Sequence, residues 1–347
     1  MNRSMSLAAS LAATEARVLL RSVTLWAGVL VTVTLGTTWG WTQMPTWDTV
    51  GDNTGMASVV LAAILLAHGH LAGSRDHRHA ATEVSTTLPT GPGRRTIALL
   101  VLVPVATLLG ALTLATQLAL LLPDAPAGNF DANDLAPTML IPPIGAAIGV
   151  AVGRWLPATA AGPLAVLTGA IVIITLPGIG NGGTDVGWWL SPVPLRPNWA
   201  PGAPQPTGWH VLYLLALLAV VVAAALAQYR LTATVITVTA VALGTMAVSQ
   251  QLRDQPGSAN RPVTAAMLDQ YTGPAVLRCE QHTNVQFCAL PGYQRWIPLW
   301  REAVEPVALA VPPGVAAPLP AVHQRDGLHL LAPTSAQPPT VDTDLNW

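Results

Sequence analysis

An all-α, polytopic membrane fold of about seven helical spans, followed by a small domain on the far side of the membrane, is the class this sequence predicts. Hydrophobic residues make up 51% of the chain and charged residues 10%, a balance that no soluble core requires. The charges fall between apolar blocks, several of them about twenty residues long, which is the length a helix needs to cross roughly 30 Å of hydrocarbon. In lipid each helix satisfies its own backbone groups, so the apolar blocks read as helical spans.

The spans fall near 23–41, 54–73, 97–122, 137–153, 158–177, 209–228 and 231–249. The last two form one apolar block, divided at Gln228-Tyr229-Arg230 because an arginine at mid-membrane costs at least ~2.5 kcal/mol; a single span there is the alternative. Ahead of the first span, 1–22 reads as a cytosolic interfacial helix. Ser6, Ser10, Thr14, Arg17 and Arg21 share one face, with Ala8, Ala12 and Leu19 opposite and Glu15 on the apolar side. No cleavage site follows the first apolar stretch, which is expected to stay as an anchor.

Every basic residue is an arginine, and the chain has no lysine. Arg3, Arg17, Arg21, Arg75, Arg78, Arg94, Arg95, Arg154 and Arg230 lie at the N-terminus or in alternate loops, whereas the opposite loops carry Asp48, Asp52, Asp124, Asp131, Asp134 and Asp185 with Arg196. By the positive-inside rule the N-terminus is cytoplasmic, and an odd number of spans puts the tail outside. Cys279 and Cys288, the two cysteines of the chain, both fall in that tail. A disulfide suits an exported compartment; two unrelated thiols or a metal site are the alternatives, with His282 a poor third ligand.

Residues 250–305 hold the cysteines and an aromatic cluster of Tyr271, Tyr293, Trp296 and Trp300, enough for a small unit stapled by one disulfide. From 306 to 347 the chain is rich in Pro and Ala and reads as partly extended. Residues 178–208, rich in Gly, Pro and Trp, read as short helices or re-entrant turns at the outer surface. The polar residues nearest the membrane have structural readings: His68 and His70 lie near an interface, Gln117 bonds between helices, and Arg154 snorkels.

Several chemistries are missing. A P-loop needs a lysine, which this chain lacks, and neither HExxH nor GxSxG occurs. No carboxylate lies deep in a span as an ion-coupled carrier requires, and nothing points to nucleic acid. The longest cytosolic connection is 74–96, SRDHRHAATEVSTTLPTGPGRRT, a short mixed-charge helix, a Pro/Gly turn and a basic return.

The arginine-bearing N-terminal helix, the first hairpin and the stretch ATEVSTTLPTGPGRRTIALLVLV together resemble the permease subunits of type-2 ABC exporters. Glu83, Leu88-Pro89 and Arg94-Arg95 match that family's acidic residue, Leu-Pro and basic entry to the third span. The resemblance implies a non-catalytic subunit with no cofactor of its own. A separate cytosolic ABC ATPase, carrying ATP and Mg, would dock on Arg75, Arg78, Glu83, Leu88, Pro89, Arg94 and Arg95, beside the interfacial helix with Arg17 and Arg21. A second permease copy or homologue would complete the path. The seventh span and exported tail depart from the family's six spans. The competing readings are a stand-alone carrier and a membrane-anchored extracytoplasmic module whose spans are scaffold. The lack of lysine suggests a high-GC genome and so a bacterial plasma membrane. Impermeant labelling of a site introduced after residue 260 is expected to mark it from outside the cell, and a cytosolic signal there would overturn the seven-span topology.

Overall fold

The computed structural model describes residues 2–41, 46–79, 91–122, 126–128, 130–176, 187, 190–193, 206–227, 231–254, 264–272, 275–283, 285–310, 321–324 and 341–343. Helix α1 (Asn2–Leu20) meets α2 (Val23–Trp41) at a bend of 60°. Helix α3 (Trp47–Gly73) starts at a reciprocal cap between Thr46 and Thr49 and stops where Ser74 Oγ donates back to His70 O at 2.8 Å. The short α4 (Arg75–Arg78) follows directly. Pro92 at the first turn opens α5 (Pro92–Leu99), which continues after a slight break into α6 (Leu102–Leu121). A 3-10 turn at Ala132–Leu135 leads into α7 (Ala136–Trp155). Then come α8 (Ala161–Thr175), α9 (Thr207–Leu226) and α10 (Leu231–Asp254). The last apolar block is therefore two helices, and the expected turn at 228–230 lies outside the described residues.

Among the described residues five helices are long and apolar enough to cross a membrane: α3, α5–α6, α7, α9 and α10. The bent pair α1–α2 brings the number to six. Helix α8, expected as a span at 158–177, has 15 residues, about 22 Å of helix, which is short of the hydrocarbon thickness.

Helix directions follow from paired residues. Ala62, Leu66 and His70 of α3 meet Gly145, Gly149 and Gly153 of α7 in ascending order, so the two helices are parallel. Helix α9 runs the same way, because Thr207 at its start donates to Asp131 ahead of α7 (2.6 Å) and Ala224 near its end accepts from Trp155 Nε1 (2.8 Å). Helix α2 is antiparallel to α3, with Gly28 against Ile64 and Gly36 against Ala57, and α10 is antiparallel to α9, with Trp209 Nε1 donating to Asp254 at 3.1 Å. The chain therefore recrosses the bundle between Trp155 and Thr207, and α8 is the apolar helix on that path.

Helix α7 is the most deeply buried of these helices. Its glycines leave no room for a Cβ: at Gly149 one would collide with Leu66 O, and at Gly153 it would lie 2.7 Å from His70 O. The reverse also holds, since a Cβ at Gly69 of α3 would lie 2.7 Å from Ala146 O. This is packing of backbone on backbone through small residues. Helix α6 joins by its Gln117, whose Nε2 donates to Thr32 O of α2 at 3.0 Å.

Beyond α10, helix α11 (Ala265–Thr272) precedes an antiparallel hairpin of β1 (Arg278–His282) and β2 (Val285–Ala289), in which Cys279 and Cys288 stand directly opposite and are joined by a disulfide. Helix α12 (Ile297–Leu309) covers the hairpin, with Phe287, Tyr293, Trp296, Ile297 and Trp300 forming a core. The 306–347 stretch, expected to be extended, contributes β3 (Val322–Gln324), parallel to β2, and β4 (Val341–Thr343), parallel to β3. Val322 enters the same core, and Gln324 Oε1 accepts from Leu290 N at 2.9 Å. The structure is thus helical with a small four-stranded sheet rather than purely α.

This unit is seated on the bundle. Ala127, from the connection between α6 and α7, is part of its core, Gly128 N donates to Gly292 O at 3.2 Å, and Trp47 N at the start of α3 donates to Ala127 O at 3.0 Å. Both glycines have left-handed backbones, φ +89° and +86°, and lie face to face where side chains would collide.

Gly149→Ala is expected to lower bundle stability by about 2–3 kcal/mol through the collision with Leu66, whereas Gly169→Ala on α8, which has open space around it, is expected to stay within ~1 kcal/mol of wild type. Thermal unfolding of both variants in one detergent tests this, and equal midpoints would contradict the packing described.

Candidate functional site

The end of the bundle where α1, α3 and α7 finish gathers Arg17, Arg21, Arg75, Arg78, Arg94, Arg95 and Arg154. Glu15, on the inward face of α1, is 5% exposed. Arg75 of α4 grips it with two bonds, Nη1 to Oε1 at 2.7 Å and Nη2 to Oε2 at 3.1 Å. The acid that looked out of place on the apolar side of α1 is therefore the anchor that ties α1 to the end of α3. Arg75 itself keeps 46% of its side chain exposed, so solvent moderates the strength of the pair.

A second clamp lies beside it. Arg95 of α5 holds Asp76 of α4 through both terminal nitrogens, at 2.9 and 3.1 Å, and Arg154 near the end of α7 stands 3.9 Å from the same carboxylate. Arg78 turns back onto α3: Nη2 donates to Leu71 O at 2.7 Å and Nε to Ser74 Oγ at 3.2 Å, so a cation covers the C-terminal carbonyls of that helix. At the root of α2, His68 Nε2 lies 3.0 Å from Thr24 Oγ1 and 3.2 Å from Ser22 Oγ, while His70 is buried against Gly162 of α8.

Of the residues the sequence nominated, Arg75, Arg78 and Arg95 are thus drawn into contacts within the chain. Arg17, Arg21 and Arg94 are exposed. Glu83, Leu88 and Pro89 lie outside the described residues. Glu15, Asp76 and Arg154 were not nominated, and the partners of Asp76, which are Arg95 and Arg154, come from other helices. Among the described residues the two carboxylates at this end are both paired with arginines, so the surface it presents is cationic.

Among the described residues the opposite end carries Asp131, Asp134 and Asp254 with Arg253. Thr207 bonds Asp131, His210 lies between Gln251 Oε1 and Pro192 O at 3.3 Å each, and Tyr213 donates to Leu190 O at 2.8 Å. Val193 is fully buried in a cluster with Ala62 and Ile141, so part of the Gly/Pro/Trp-rich connection packs into the bundle; Trp188, Trp189 and Trp199 lie outside the described residues. Among the described residues no group of His, Cys, Asp and Glu has a metal-binding arrangement. No protein-family model, curated protein or solved structure matches the chain.

Neutralising Glu15 leaves Arg75 beside a buried amide, and because Arg75 is half exposed the expected cost is about 1–2 kcal/mol rather than that of a fully buried pair. Hydrogen exchange in α1 should quicken in Glu15→Gln and stay unchanged in Arg17→Gln; identical exchange in the two variants would show that the pair does not anchor the helix.

Proposed function

We propose that the chain is the membrane-spanning permease subunit of an ATP-driven, ABC-type transporter, working with a second permease copy or homologue. One observation carries the reading. At the basic end, α1, α4 and α5 are drawn together by arginine–carboxylate pairs, with Arg17, Arg21 and Arg94 left exposed beside them. Orientation in a membrane requires positive charge at that end but not bidentate pairs that join separate elements. A surface on which another protein pushes does require such stiffness.

The chain has no lysine for a P-loop, so nucleotide energy has to come from a partner: ATP and Mg would sit on a cytosolic ATPase docked at this end. The parallel course of α3, α7 and α9 supports a seven-span topology in which the chain crosses back between Trp155 and Thr207, with the short α8 as part of that crossing. With the arginine-rich end in the cytoplasm of a bacterial plasma membrane, the tail is extracytoplasmic, a compartment in which a Cys279–Cys288 disulfide persists. The sharing of the tail's core with Ala127 favours a domain that works with the bundle over a module merely tethered to it.

Protein purified from its native membrane is expected to bring a P-loop chain with it and to hydrolyse ATP. Glu83→Arg and Arg94→Glu are each expected to reduce that association by about tenfold or more, as loss of a charge contact in an interface does, without reducing membrane insertion. Equal recovery and equal hydrolysis for wild type and both variants would overturn the reading.

A further inference from the structure

The Asp76 carboxylate is the meeting point of three elements. It belongs to α4, which continues α3; it receives a bidentate grip from Arg95 on α5; and it faces Arg154 on α7. All three side chains are mostly covered, at 26%, 20% and 11% exposure for Asp76, Arg95 and Arg154. A two-bond guanidinium–carboxylate contact fixes direction as well as distance, which a single exposed ion pair does not. The residues that it joins bracket 80–90: α4 is the last described helix before that stretch and α5 the first after it.

We infer that Asp76 is a positioning residue that fixes the end of α4 and the start of α5 relative to each other, and with them the two ends of the 80–90 connection, by holding α5 through Arg95 and drawing it towards α7 through Arg154. Two effects act in the same direction. The pair closes the chain between residues 76 and 95, so the ends of that stretch are held together before any partner arrives, and the entropy of closing it is not charged to binding. The carboxylate also stands within 3.9 Å of two guanidinium groups, one on α5 and one on α7. Without its charge, α5 loses the two-bond contact that ties it to α4 and, through the same carboxylate, to α7. The role concerns the geometry of this chain and holds whether or not an ATPase is the partner.

Because the chain's only two cysteines are bonded to each other, introduced cysteines can be spin-labelled selectively, and distance distributions measured on the detergent-purified chain test the inference. Labels at 79 and 94 report the two sides of the clamp, labels at 94 and 156 report α5 against the end of α7, and labels at 71 and 156 report α3 against α7 as a reference. In the wild-type background all three pairs are expected to give one narrow distance. Asp76→Asn and Arg95→Gln are each expected to broaden the first two distributions by about twofold, as release of a closed loop would, and the double variant no further than either single one, because both remove the same contact. The reference pair should not change. Narrow first and second distributions in the single variants, broadening that accumulates in the double variant, or equal broadening of the reference pair would each overturn the assignment.

Discussion

Contact of backbone with backbone along α3 and α7 is the constraint on which the other helices depend. Gly145, Gly149 and Gly153 recur every four residues and so lie on one face of α7, where carbonyls of α3 fill the space that side chains would occupy. Helices this close leave little freedom to slide, since each carbonyl sits in a notch of its neighbour. Because the pair is parallel, the two helices end at the same level. That puts His70, Ser74 and α4 beside Gly153 and Arg154, and it puts the start of α3 beside the turn that leads into α7. Helices α2, α6 and α9 pack around this strut, and α10 adds to α9 at the periphery.

At the basic end, the strut decides which charges meet. Arg154 reaches Asp76 only because α7 and α3 finish together, and Asp76 then becomes available to Arg95 as α5 passes. Glu15 and Arg75 extend the arrangement to α1, across the bend that separates α1 from α2. Arginine suits both contacts, since its fork meets the two oxygens of a carboxylate at once. The consequence is a cytosolic-facing end, in the proposed orientation, whose loose pieces are tied to the two most buried helices. A force applied to α1 or α5 would be borne by α3 and α7 rather than dissipated in a loop.

The same two helices carry the tail. Trp47 and Ala127 join the start of α3 to the connection that enters α7, and the tail's aromatic core closes over Ala127. The sheet gains its third strand from Val322–Gln324, whose apolar and amide groups fill positions that the hairpin alone leaves open. One disulfide and one small core thus stabilise a unit that also rests on the bundle. Both ends of the molecule therefore act on one rigid pair of helices.

Helical spans were legible in the sequence because burial in lipid is a property of each segment taken singly: an apolar run of sufficient length needs no partner to be recognised. The alternation of arginine and aspartate between loops was legible for the same reason, and the pairing of Cys279 with Cys288 was legible because they are the two cysteines of the chain. The repeat GAAIGVAVG at 145–153 was visible as a spacing of small residues, yet which helix filled its notches depended on distances between segments far apart in the chain. The same applies to Glu15 on the apolar face of α1 and to Val322 in a proline-rich stretch, each of which looks misplaced until its partner, Arg75 or Phe287, is beside it. Hydropathy and charge placement are sums along one dimension, and these the sequence determined by itself. Which carboxylate meets which guanidinium, and which carbonyl fills which glycine notch, are contacts across a fold, and only the tertiary structure decided them, because their energies exist only once the separate segments have come within a few ångströms of each other.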